Sequence, residues 1–338
     1  MQLTIELLSI LKEEPVKKIT LTNDNGLQVT VLTYGAIIQS IKFHDMECVL
    51  GFNSLEGYLD SKDYVGCVVG PVAGRIEKGF VQIKDKIIHL EQNEYPHTLH
   101  SGSKGYSHRN FKVNKLYRSD KEVGVGLRLL SSQEQDGFPG NKELWIHYKL
   151  DNDGVFKTSY DMWSSEETYV SLTNHSYFNL NINKQHSIQN HDLWIDSEKM
   201  LATSNQKIPY DLSNISDNEL DFKTKKKIGD MIQLNKDKNN DFFGFDHSYV
   251  LNQSDQIKLK LYSLESKVQL SIDTSEPVVL VYTGNALEDP FYTHQGVCLE
   301  AQDYPNGMNL PGKPLKTLKA NTWKQGWTHY HFSKILND

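Results

Sequence analysis

The sequence predicts an all-β protein, a large antiparallel β-sandwich, and three observations carry that prediction. Short runs rich in β-branched and aromatic residues recur along the chain, bounded by Gly, Asn, Asp and Pro. Hairpin chemistry joins them, as at Asp151, Asn152, Asp153 and Gly154. Helical periodicity is scarce, with short candidates at Leu55–Leu59 and around Glu219–Lys227. Many strands without long helices between them make a sandwich or barrel-like stack.

The elements follow in order. From Val16 onward, Ile19–Thr22, Leu27–Thr33 and Ile37–Phe43 read as strands, separated by turns at Asn23–Gly26 and Tyr34–Gly35. Next come Phe80–Ile83, Lys86–Leu90, Phe111–Tyr117, Val123–Leu130, Leu144–Leu150, Val155–Met162 and Tyr169–Thr173. The C-terminal half adds Asp192–Ile195, His247–Leu251, Ile257–Tyr262, Lys267–Ile272, Val278–Thr283 and Gly296–Ala301. The polar stretch Asn205–Asn240, with its Lys223–Lys227 cluster, reads as a solvated excursion between strands. No repeat and no Pro/Gly/Ser linker divides the chain, so residues 1–338 are expected to form one domain.

Composition narrows the function. A net charge of −7 argues against nucleic acid or an anionic membrane as partner. The only arginines are Arg75, Arg109, Arg118 and Arg128, so one inside a polar motif stands out as an oriented donor fork. Cys48, Cys67 and Cys298 are widely spaced and form no CxxC, which indicates neither a redox pair nor a cysteine zinc site. An odd count fits a reducing compartment. The N-terminal run carries Glu6 and lacks a basic start, a poor signal peptide. No apolar run approaches the ~20 residues of a membrane span, so the expected location is cytoplasmic.

Six segments concentrate chemistry. Ser171–Leu180, SLTNHSYFNL, reads as a strand end at which His175 can face a cleft; imidazole exchanges protons near neutral pH. Asn53–Ile76 ends in Arg75, and its glycines lack the βαβ context of a dinucleotide site. His97 and His100, in HTLHSGSKG, suggest a metal pair only weakly; a loop histidine donating to a sugar hydroxyl fits as well. In DGFPG, Asp136–Gly140, the reading is a turn anchored by Phe138. Asp246, in GFDHSY, can accept from vicinal hydroxyls if it lies in a cleft. Glu300 interrupts the apolar strand VCLEA, and a carboxylate there is costly unless partnered. It is the best candidate among the carboxylates for a general base, with a solvent-facing strand position as the alternative.

Taken in order, NSLEGYLD, AGRI, LHSG, DGFPG, LTNHSYFNL, GFDHSY and LEAQDYPNGMN resemble the aldose 1-epimerases, the galactose mutarotases, from about Thr20 to the C-terminus. The resemblance implies a galactose mutarotase-like β-sandwich. It implies exchange of the α and β anomers of free hexoses such as D-galactose and D-glucose, with no metal or organic cofactor. It implies that His175 is the general acid and Glu300 the general base. Arg75, His100 and Asp246 match substrate-contacting positions, and Tyr177 falls in the active-site motif. A monomer or homodimer is expected. The chain departs from many members at Pro71 and Gly74, where Arg and Asn are usual, and at Ser101–Gly102, where Gly-Gly is usual; both bear on sugar preference. A hexose-6-phosphate epimerase would call for a cationic cluster, and a non-catalytic sugar-binding module would need no matched acid and base.

Overall fold

The fold is that of a computed structural model, which describes residues 1–215, 220–238, 243–254 and 256–335. Three antiparallel sheets dominate. The largest has nine strands and is built on a meander, Lys112–Arg118, Glu122–Ser131, Lys142–Asp151 and Val155–Ser164. It continues through Thr322–Lys334, Val268–Thr274, Leu259–Ser263, His191–Ile195 and Lys226–Lys227. A six-stranded sheet runs Tyr177–Phe178, Val297–Gln302, Val278–Tyr282, Asp246–Leu251, Ser197–Thr203 and Pro209–Asn214. A five-stranded sheet is made by the N-terminal residues from Gln2–Leu11 to Met46–Glu47.

The period of two decides which residues meet. Along Lys142–Asp151, Leu144, Ile146, Tyr148 and Leu150 are buried while Glu143, Trp145, His147 and Lys149 alternate outward. These inward side chains share one core with Val29 and Val31 of the five-stranded sheet and with Val279, Val281, Val297 and Leu299 of the six-stranded one. The Val297–Gln302 strand is buried on both faces. One face feeds this core, and the other faces the cleft described below.

Sequence and structure differ in several places. Ser197–Thr203 and Pro209–Asn214 are strands of the six-stranded sheet, the second inside the stretch read as a solvated excursion, where its mostly polar, exposed residues hide it. Gln2–Leu11 is a strand, paired with Glu14–Thr22. The turn between them uses Lys12 and Glu13 at φ 48° and 67°, so no Gly or Asn announces it. Thr322–Lys334, at the centre of the nine-stranded sheet, was not expected either. Its inward positions are Gly326, Thr328, Tyr330 and Phe332, which offer almost no aliphatic alternation. Gly326 serves packing: a Cβ there would lie 2.2 Å from Glu276 Oε1 and 2.4 Å from the Tyr160 ring. Tyr169–Thr173 is not one strand: Thr168–Tyr169 and Thr173–Asn174 pair with different partners, and Ser171 between them makes an isolated parallel bridge to Val72. The helical stretch around Glu219–Lys227 is displaced: Lys226–Lys227 pairs in the sheet and the helix spans Ile228–Lys238, burying Ile228, Met231 and Ile232. Glu219 itself lies outside the described residues. Leu55–Asp60 is helical as expected.

Candidate active site

The six-stranded sheet forms the floor of a cleft of about 840 Å³. Its ladder sets Tyr177 opposite Cys298, Cys298 opposite Tyr282, and Tyr282 opposite Asp246. Directly opposed residues point to the same side, so these four form one row across four strands. Glu300 lies two residues beyond Cys298 and joins the same face. Continuing the Tyr177–Cys298 register by two residues sets His175 opposite Glu300. The side chains meet there, with His175 Nε2 3.4 Å from Glu300 Oε1.

Backbone bonds hold His175 in place. Its N–H donates to the Cys67 carbonyl and its carbonyl accepts from Gly66 N–H, both at 2.9 Å. Asn174 Nδ2 donates to the Gly66 carbonyl at 2.8 Å. Much of the polar content of SLTNHSYFNL is therefore structural: Asn179 Nδ2 likewise donates to the carbonyls of Gln295 and His186. His175 and Tyr177 are the motif residues that line the cleft. Glu300 is 2% exposed, which removes the solvent-facing alternative.

His100 enters on a loop with a left-handed backbone, φ 53°, and its ring meets that of His175 edge-on at 5.5 Å. Its Nδ1 accepts from Gly74 N–H at 3.2 Å. A backbone N–H only donates, so Nδ1 is unprotonated and Nε2 carries the proton. His100 is thus a neutral donor, in keeping with burial, His175 and Arg75, all of which push its pKa well down. His97 stays out of the cleft lining. Its Nδ1 accepts from Lys78 N–H and its Nε2 lies 3.1 Å from Gln206 Oε1, so the two histidines do not form a metal pair.

Arg75 is clamped by Glu94 through Nε and Nη2, at 2.6 and 2.9 Å, and extends Nη1 toward Asp246 at 3.4 Å. Other lining residues, among them Glu94, Tyr64, Tyr282 and Lys207, were not singled out from the sequence. Tyr64 packs edge-on against His100 with ring centroids 4.7 Å apart. None carries a local signal; each reaches the cleft through loop geometry or sheet register. Of the departures, Gly74 lines the cleft, whereas Pro71 is buried and Ser101 Oγ bonds the Val72 backbone. A Cβ on Gly74, at φ +76°, would sit 3.0 Å from Pro305.

Burial pushes the His175 pKa down to about 4, against smaller upward pulls from its own carbonyl and Asp246. Burial, reinforced by Asp246, pushes Glu300 well up, while Arg75 pulls it down. Among the described residues, His175, Cys298 and Glu300 bring donor atoms within 4.8 Å of one another, a set that suits a divalent ion by residue type. The thiol, however, contacts Nδ1 and the carboxylate contacts Nε2. One imidazole cannot bring both to a single ion, so the three form a row and not a chelate.

A buried carboxylate and an imidazole in contact on the floor of a polar cleft are groups that can exchange protons with a bound molecule. The aldose 1-epimerase family model matches residues 17–331. Human galactose mutarotase is 31% identical over 336 residues, spanning 94% of each chain. Aldose 1-epimerase of Escherichia coli K12 is 29% identical over 318 residues, 89% of this chain and 90% of that one. The structure of galactose 1-epimerase from Lactobacillus acidophilus superposes with a TM-score of 0.88 at 24% identity, covering 98% of this chain and 99% of that one, which shows the fold. The chain belongs to the aldose 1-epimerase family. It is an isomerase that exchanges the anomers of an aldose.

Proposed function

We propose that the substrates are free hexoses such as D-galactose and D-glucose, and that His175 and Glu300 carry the proton transfers. The observation that supports this reading most is the 3.4 Å contact between His175 Nε2 and Glu300 Oε1 at the cleft floor. O1 and O5 of a pyranose are both bonded to C1, so a sugar entering with C1 foremost offers one oxygen to each group. Glu300 takes the O1 proton as His175 gives one to O5, and the C1–O5 bond breaks. Rotation about C1–C2 then presents the other face of the aldehyde, and the reversed transfers close the ring. Each group contributes typically ~10²–10⁴-fold.

The electrostatics suit this cycle. With the closed sugar the pair must be imidazolium and carboxylate; with the open chain it is neutral imidazole and carboxylic acid. Burial favours the neutral pair, and so favours the ring-opened state. Arg75 acting on Glu300 and Asp246 acting on His175 oppose it and keep the charged pair within reach. In this reading His100 donates to a sugar oxygen through Nε2–H. Arg75 and Asp246 orient the hydroxyls away from C1. The Tyr177 hydroxyl donates to the Asp63 carbonyl, so its ring, 5.1 Å from that of His175, supplies packing. Among the described residues, acidic side chains lining the cleft outnumber basic ones seven to three, which disfavours a phosphorylated sugar.

The test is polarimetry on freshly dissolved α-D-galactose, α-D-glucose and glucose 6-phosphate. Wild type is expected to speed relaxation of the two free sugars. Glu300→Gln and His175→Asn are each expected to lose about 10²–10⁴-fold in kcat with an unchanged circular dichroism spectrum. A Glu300→Gln enzyme with normal turnover overturns the base assignment. Preference for the phosphorylated sugar overturns the substrate class.

A further inference from the structure

Cys298 is buried in the cleft floor and takes no part in the proton transfers above. It lies between Tyr177 and Tyr282 in the sheet, on the same face as Glu300, and its Sγ is 3.5 Å from His175 Nδ1. We propose that Cys298 is a positioning residue: its sulfur accepts the His175 Nδ1–H, fixing the ring and leaving Nε2 as the only nitrogen that exchanges a proton. The inference rests on the acid–base reading of His175 and Glu300.

The argument follows the proton through the cycle. When Glu300 is the carboxylic acid, its O–H donates to Nε2, so the neutral imidazole must carry its proton on Nδ1. When the proton has crossed, the imidazolium carries one on each nitrogen. Nδ1 is therefore protonated in both halves of the cycle and needs an acceptor throughout. The thioether-like lone pairs of a neutral thiol are weak acceptors, but this sulfur is at bonding distance and shielded from water. Burial raises the Cys298 pKa well above the ordinary thiol value, so the sulfur stays uncharged and does not compete with Glu300 for the shared proton. A filler role alone, the usual one for a buried cysteine, would place no demand on the atom facing Nδ1. The competing acceptor is the His175 carbonyl, which also pulls on the ring and already accepts from Gly66 N–H.

Two measurements decide it. In wild-type protein labelled with ¹⁵N-histidine, the His175 Nδ1 signal is expected at the shift of a protonated nitrogen at neutral pH. A signal typical of an unprotonated Nδ1 overturns the proposal without any variant. In kinetics, Cys298→Ala is expected to lower kcat about five- to tenfold with KM unchanged, the scale of one hydrogen bond. Cys298→Ser, which keeps an acceptor, is expected to stay within about threefold of wild type on the same reasoning. Wild-type kcat in Cys298→Ala shows that the carbonyl suffices and overturns the proposal, as does a Cys298→Ser enzyme no better than the alanine variant. Glu300→Gln separates the two levels. If it is active, the acid–base reading fails; if it is inactive while Cys298→Ala turns over normally, only the role of Cys298 fails.

Discussion

The His175 imidazole, held down to about 4 by its burial, has a kinetic consequence. The working pair holds one shared proton. Adding a second, on His175, stops the cycle; removing the only one, from Glu300, stops it too. The acid limb of kcat/KM is therefore expected near 4 and not near the 6.5 of a free imidazole. The alkaline limb is set by Glu300, which burial moves upward from the usual carboxylate range. Mutarotation rates measured from pH 3.5 to 9, with circular dichroism at each pH, check this; an acid limb near 6.5 would contradict it. At this scale the sequence motifs brought His175, Glu300, Arg75, His100 and Asp246 into view, and all five line the cleft. Glu94, Tyr64 and Cys298 were not legible as site residues. Tyr64 and Glu94 reach the cleft on loops and Cys298 through strand register, and a single sequence shows neither.

Among elements, the turn in DGFPG does more than reverse the chain. Asp136 and Lys142 are wholly buried and pair at 3.1 Å. Asp136 also accepts from Ser131 Oγ and the Tyr106 hydroxyl, while Lys142 Nζ donates to the carbonyls of Phe138, Pro139 and Gly140. Tyr106 N–H in turn donates to the Gly70 carbonyl, and a Cβ on Gly70 would lie 2.9 Å from the Tyr106 ring. The turn thus supports the loop that carries His100. Removing one partner leaves the other charge buried alone, so Asp136→Ala is expected to cost about 3–5 kcal/mol in urea unfolding. A loss below about 1 kcal/mol, the scale of an exposed pair, would show that the pair is not sequestered. The sequence indicated the turn and its Phe138 anchor. Lys142 was illegible, because a lysine at the start of an amphipathic strand reads as solvated unless its carboxylate partner is known to be buried as well.

For the molecule as a whole, buried neutral imidazoles tie stability to pH. His191 is fully buried; its Nε2 accepts from Leu180 N–H at 2.9 Å and Nδ1 lies 3.0 Å from Asn190 Oδ1. Burial and Lys184 hold its pKa at about 3, against roughly 6.5 for histidine in the unfolded chain. The unfolded state therefore binds an extra proton below that value. The contribution is complete above pH 6.5 and is lost progressively as pH falls toward 3, at about 1.4 kcal/mol per pH unit. His100 acts in the same direction, and Glu300, raised by burial, in the opposite one. His191→Gln keeps an acceptor for Leu180 N–H and should flatten the stability profile between pH 6 and 4 by about that slope. Denaturant titrations across the range measure it, and an unchanged slope refutes it. The antiparallel β architecture was legible at this scale because turn chemistry and alternation repeat along the chain. The N-terminal strand Gln2–Leu11 and the central strand Thr322–Lys334 escaped, one for a turn without Gly or Asn and the other for inward positions without aliphatic residues.

The doubly buried Val297–Gln302 strand constrains how genes for such a chain can change length. Its two faces alternate residue by residue between the common core and the cleft. Losing or gaining one codon between Cys298 and Glu300 would exchange the faces, turning a carboxylate into the hydrocarbon interior and a leucine toward the sugar. A substitution there alters one face at one position, whereas a frame-preserving insertion exchanges both faces at once. Length variation is expected to collect instead in exposed turns between strands, such as Ser119–Lys121, where no such alternation has to be kept.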